Sequence, residues 1–185
     1  MTYHEPQAHP LPRLPLRQTI GKYLPDLIFG ANDGIITTLA VVSGVVGASL
    51  SSTVILILGF ANLLADGFSM GVSNVLSRRS ATEAASLPTL SRTAAHGAAT
   101  FAGFVLAGLV PLLAYILPWF SGHRFLAATA MALLTLFAIG ASRTLFTRRG
   151  WFVSGLEMLL LGALAAAVAY GVGAAVASIV GVHTP

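Results

Sequence analysis

The stretch from Leu27 to Ala48, LIFGANDGIITTLAVVSGVVGA, is long enough and apolar enough to cross a bilayer, yet it carries Asp33 inside it. A span of this kind needs about 20 apolar residues. A carboxylate placed in or near hydrocarbon costs about 2.5–3.5 kcal/mol, so such a residue is usually kept for pairing, ion contact or proton movement. A second apolar stretch, Thr53 to Leu76, repeats the anomaly with Asp66 and places Met70 one helical turn further on. Two acids and a thioether in membrane helices suggest a path for a cation.

The remainder of the chain agrees with a membrane setting. Of 185 residues 56% are hydrophobic and only 9% charged, and the mean hydropathy is +0.83. That leaves too little polar surface to cover a soluble globule of this size. The expected fold is an all-α integral membrane protein with five transmembrane helices, at about 26–48, 53–77, 98–117, 124–142 and 153–181. They would form one domain over residues 26–182. Residues 1–25 read as a disordered or interfacial cytoplasmic tail, with four prolines before Gly21 and no signal-peptide pattern. Pro25 and Asp26 read as the start of the first helix. The small, uncharged link Gly47–Ser52 predicts a tight antiparallel hairpin between helices one and two.

Charge distribution sets an expected orientation. Arg13, Arg17, Lys22, Arg78, Arg79, Arg92, Arg143, Arg148 and Arg149 fall on one side of the five-span arrangement, and only Arg124 falls on the other. By the positive-inside rule the N-terminus is then cytoplasmic and the C-terminus outside or lumenal. Because the basic residues sit in short clusters between apolar runs, nucleic acid is not an expected partner despite the net charge of +4. Cysteine is absent, which removes disulfides, Cys-based metal sites and thiol nucleophiles. Glycines in helix one and the Gly/Ala-rich helix five predict close helix packing, within one bundle or between subunits.

On a 3.6-residue period Asn62, Asp66, Met70 and Asn74 form one row along helix two, flanked by Ser69 and Ser73. A carboxylate beside a thioether offers a mixed hard and soft site for a first-row divalent metal. On helix one, Asn32, Asp33 and Thr37 make a shorter polar cluster bracketed by Gly30 and Gly34. Glu157, about one turn into helix five, reads as an interfacial ion-pair partner and supporting residue. Glu83 and Asp26 read as solvated or helix-start charges. The five histidines lack ligand spacing, and only His96, at the mouth of helix three, stands where a proton relay could work. No enzyme motif is present, so the chain is not expected to be an enzyme.

Three segments carry a family resemblance: GANDGIITTLAVVSGVVGA in helix one, GFANLLADGFSMGVSNVLS in helix two, and RRGWFVSGLEMLLLGALAAAVAYGVG leading into helix five. Together they resemble the vacuolar iron transporter family, over most of residues 27–173. The resemblance implies five helices, a homodimer with helix one near the two-fold axis, and proton-coupled movement of Fe2+, often Mn2+, out of the cytosol. It places Asp33 and Met70 in the translocation path. Asn62 and Asn74 stand where family members carry Glu, leaving Asp66 to compensate. Residues 80–97 are too short for the cytoplasmic metal-binding domain of longer members, which makes this a short bacterial or nodulin-like type.

The expected function is therefore a dimeric metal/proton exchanger without a permanently bound cofactor. Its translocation residues would be Asp33, Asp66, Met70, Asn62 and Asn74, supported by Asn32, Thr37, Ser69, Ser73 and Glu157. Its partners would be a second copy, membrane lipid, divalent metal ions and protons. It would sit in a bacterial inner membrane, or a vacuole-type membrane if eukaryotic. The alternative is a non-transporting membrane scaffold or sensor whose buried acids are structural.

Overall fold

The computed structural model describes residues 16–83, 90–145 and 150–181. They form α1 (Leu16–Gly47), α2 (Ser52–Glu83), α3 (Leu90–Ile116), α4 (Arg124–Ser142) and α5 (Trp151–Val180), with short 3-10 turns at Pro118–Phe120 and Arg143–Leu145. All five helices are long and apolar enough to cross a membrane. In lipid a helix is the natural outcome, because it bonds its own backbone groups where no water can do so. Large apolar side chains such as Phe29, Ile57, Phe68, Leu134 and Leu164 point outward, a surface that suits hydrocarbon and not water.

Three helices run beyond their expected ends. Hydropathy marks where the apolar medium stops, whereas a helix stops only where its backbone bonding is broken. At 1.5 Å per residue, the 32 residues of α2 extend about 48 Å, past the roughly 30 Å of hydrocarbon. It thus continues through Arg78 and Arg79 to Glu83, and α3 is already helical at Leu90. In α1 the expected helix start at residue 26 is corrected to Leu16, so residues 16–25 are helical. Pro25 lies inside this helix and not in its first turn. The carbonyl it leaves without a donor is that of Gly21, where no side chain crowds the backbone. Residues 1–15 lie outside the described residues.

Glycine decides which helices touch. A Cβ on Gly30 would lie 2.1 Å from the Thr100 carbonyl oxygen and one on Gly34 would lie 2.2 Å from that of Phe104, so α1 and α3 meet backbone to backbone. Gly47 and Gly173 make the corresponding contact between α1 and α5, while Gly140 and Gly155 close α4 on α5. These glycines pack within one bundle. The core they enclose includes Ile35, Leu39, Val42, Phe104, Leu112 and Leu136, all fully buried.

The expected hairpin of α1 and α2 closes through a short link, but its two helices pack loosely on each other. A four-residue link with Ser49 in the left-handed region (φ 57°) does reverse the chain. Yet α1 packs far more extensively on α3 and α5 than on α2, and α2 leans instead on α3 through Gly67, Gly71 and Gly97. The physical reason lies in the facing surfaces, which carry Asp33 on one helix and Asn62 and Asp66 on the other. An open groove is left between α1 and α2.

Candidate functional site

The groove follows the row of residues four apart on α2. Toward one end Asn62 lines a shallow cleft of about 500 Å³ with Ala40, Val41 and Gly44 of α1 and Leu58 and Ala61 of α2. Toward the other, Met70 shares a cleft of about 410 Å³ with Phe29, Ser69, Ser73, Asn74 and Ser77. Between the two, Asp33 and Asp66 are both partly buried and lie close enough that each carboxylate feels the other's charge. Among the described residues neither acid has a hydrogen-bond donor or an ion-pair partner. Two mutually repelling carboxylates without donors in an apolar setting constitute a local charge excess that a cation would neutralise.

The flanking residues play different parts. Thr37 donates its hydroxyl to the Asp33 backbone oxygen at 2.6 Å, so it serves the helix and not the carboxylate. Asn32 Oδ1 and Asn62 Nδ2 are buried without a partner. Ser69 and Ser73 are exposed on the outer wall of the groove, and Met70 also packs against the core cluster that contains Phe104. Glu157 is exposed on α5 and lines neither cleft. Among the described residues no three His, Cys, Asp or Glu side chains converge as a closed metal cage. What the chain presents is a groove open on one side.

One further constellation escaped the sequence reading. Asp26, expected as a solvated helix-start charge, is 5% exposed and joins three helices. Its Oδ1 accepts from Asn74 Nδ2 at 2.8 Å and from Arg78 Nη2 at 2.7 Å, and its Oδ2 lies 2.5 Å from His96 Nδ1. Asn74 also donates to Thr100 Oγ1 at 2.6 Å and accepts from Arg78 Nε at 2.8 Å. The ring of Tyr23 packs on that of His96 with centroids 4.7 Å apart. Asn74 is thus committed to this knot through both amide hydrogens and its oxygen. The signal was present in the spacing: Asp26 precedes Asp33 by seven residues, and Arg78 extends the α2 row by one more step of four.

Comparison with known proteins bears on the whole bundle. A family model described as the VIT family matches residues 24–87 and 83–174. Vacuolar iron transporter 1 of Eucalyptus grandis is 26% identical over 221 residues, covering 86% of this chain and 89% of the relative. A vacuolar iron transporter of Toxoplasma gondii is 27% identical over 236 residues, covering 89% of this chain and 78% of the relative. A shorter stretch of 54 residues, 29% of this chain, is 50% identical to a vacuolar iron transporter of Plasmodium falciparum. The first two aligned lengths exceed the 185 residues of this chain. The family match itself breaks at residues 83–87, where α2 ends.

Proposed function

This chain belongs to the VIT family, and on that premise we propose that it carries a divalent transition metal, Fe2+ or Mn2+, out of the cytoplasm along the α1–α2 groove in exchange for protons. The observation that carries the reading is the pair Asp33 and Asp66, two carboxylates that share a groove, feel each other's charge and have no donor among the described residues. A carboxylate pair can hold a metal dication or protons in turn, which is the elementary requirement of exchange. Asn62 and Met70 extend the row on either side, with the soft thioether suited to first-row metals over Mg2+ or Ca2+. Asn32, Ser69 and Ser73 supply further oxygen atoms. Asn74 is assigned to the knot around Asp26 and supports the path from there, and Glu157 stays outside it. Iron is favoured by the names of the relatives.

The open side of the groove supports a homodimer. Exposed Ser69, Ser73 and Ser77 and the orphaned Asn62 amide are unsuited to lipid, and a second copy laid against the same face would cover them and double the carboxylates. The basic residues Lys22, Arg78, Arg79 and Arg143 share one end of the bundle and Arg124 the other, which supports a cytoplasmic N-terminus. A bacterial inner membrane, or a vacuole-type membrane, fits that orientation.

The test is Fe2+ and Mn2+ uptake into proteoliposomes under an imposed pH gradient, for wild type, Asp33→Asn, Asp66→Asn and Met70→Ala. Flux that follows the gradient and collapses in both Asp variants is the expected result. Correctly folded wild type that moves neither metal overturns the reading and leaves a membrane scaffold with structural acids.

A further inference from the structure

The neighbouring arginines at the end of α2 point to different tasks. Arg78 turns inward to Asp26. Arg79, one residue on, is rotated by about 100°, is exposed, and has no ion pair or hydrogen-bond partner among the described residues. It falls in register with Phe68, Val72 and Val75, at successive steps of four, three and four along one face of α2. Those three side chains line a cleft of about 240 Å³ between α2 and α3, with Gly71 at its edge and Ala94, Gly97, Ala98 and Phe101 opposite. The cleft exists because Gly71 and Gly97 let the two backbones touch: a Cβ on Gly97 would lie 2.4 Å from the Gly71 carbonyl oxygen. Small residues on the α3 side then leave a furrow that the larger α2 side chains do not fill.

We infer that this cleft is a binding site for one anionic phospholipid, an acyl chain lying in the α2–α3 furrow and the headgroup phosphate held by the Arg79 guanidinium. The furrow is apolar along its length and runs in register toward Arg79, a cation unpaired among the described residues and the complement of a lipid with an anionic head. A guanidinium presents N–H pairs that match two phosphate oxygens, and basic pockets between membrane helices are suited to anionic headgroups. The site lies two residues out of step with the Asp66 row, hence on the opposite side of α2 from the groove. A second copy seated on the groove would leave it open to lipid.

Native mass spectrometry of the full chain, released from detergent with phosphatidylglycerol or phosphatidylcholine, reads the binding directly and needs no transport. One phosphatidylglycerol is expected to be retained about fivefold more tightly than phosphatidylcholine, the worth of one basic residue at an anionic headgroup. Arg79→Gln should abolish that preference. Ala98→Phe, at an exposed position, should fill the furrow and displace both lipids, while Lys22→Gln at the same end of the bundle should leave retention unchanged. Equal retention of the two lipids by wild type overturns the proposal, as does an equal loss in Lys22→Gln. Competition by chainless glycerophosphoglycerol at the lipid's own concentration also overturns it, because the furrow would then contribute nothing.

Discussion

Asp26→Ala removes in one step the acceptor shared by Asn74 at 2.8 Å, Arg78 at 2.7 Å and His96 at 2.5 Å. The three losses are unequal. Asn74 keeps Thr100, and Arg78 keeps Asn74 and has 41% of its side chain exposed, so water can replace much of what it loses. His96 has only 9% of its side chain exposed and loses a buried partner, for which about 1–3 kcal/mol is typical. Interhelical polar contacts in membrane proteins average about 0.6 kcal/mol and reach about 1.7, which for three contacts brackets about 2–5 kcal/mol in total. Reversible unfolding in mixed micelles, followed by the fluorescence of Trp119 and Trp151, measures the loss. A double-mutant cycle with His96→Ala should then show a coupling of about 1–2 kcal/mol. Additivity of the two substitutions within about 0.5 kcal/mol, or a loss below about 1 kcal/mol for Asp26→Ala, refutes the claim that this knot holds α1, α2 and α3 together.

Three other outcomes follow from the same structure. Gly34→Val sets a side chain against the Phe104 backbone, where even a Cβ stands 2.2 Å from the carbonyl oxygen, and should cost about 1–3 kcal/mol or more by overpacking; wild-type thermal stability would refute the backbone contact. Without metal, Asp66→Asn should stabilise the protein by about 1 kcal/mol by removing a charge from the membrane and from Asp33, and a lower melting temperature would contradict the repulsion. Mn2+ at about a hundred times its Kd should stabilise wild type by about 2.7 kcal/mol and Asp33→Asn hardly at all; calorimetry showing equal stabilisation would move the metal elsewhere.

How much of this could be read beforehand depended on the kind of signal. Apolar length and the alternation of basic clusters locate the spans, because bilayer thickness is a one-dimensional constraint that a sequence carries on its face. The row Asn62, Asp66, Met70 is visible for the same reason: a polar residue in lipid is anomalous wherever its partner lies. Helix ends were not legible, since residues 16–25 and 78–83 are polar enough to leave the membrane, and Gly21 and Pro25 mark a break that the helix passes through. Asp26 was misread because burial outside the apolar run depends on which helices meet. Gly30 and Gly34 determine that by drawing α1 onto α3, which brings His96 to Asp26. Glycine density predicted close packing without naming the partner helix.

The way α2 is attached has a mechanical consequence. At one end it is held to α1 covalently, by the four-residue link after Gly47, and at the other by the carboxylate, guanidinium and imidazole around Asp26. Between these points its contact with α1 is slight. A rod fastened to α1 only at its ends does not swing like a door; its middle rests on α3 through Gly67 and Gly71, and it can only flex along that contact. Any widening of the groove at Asp33 and Asp66 is therefore a flexing at mid-membrane, felt most by spin labels at positions 40 and 61 and least by labels near either fastening.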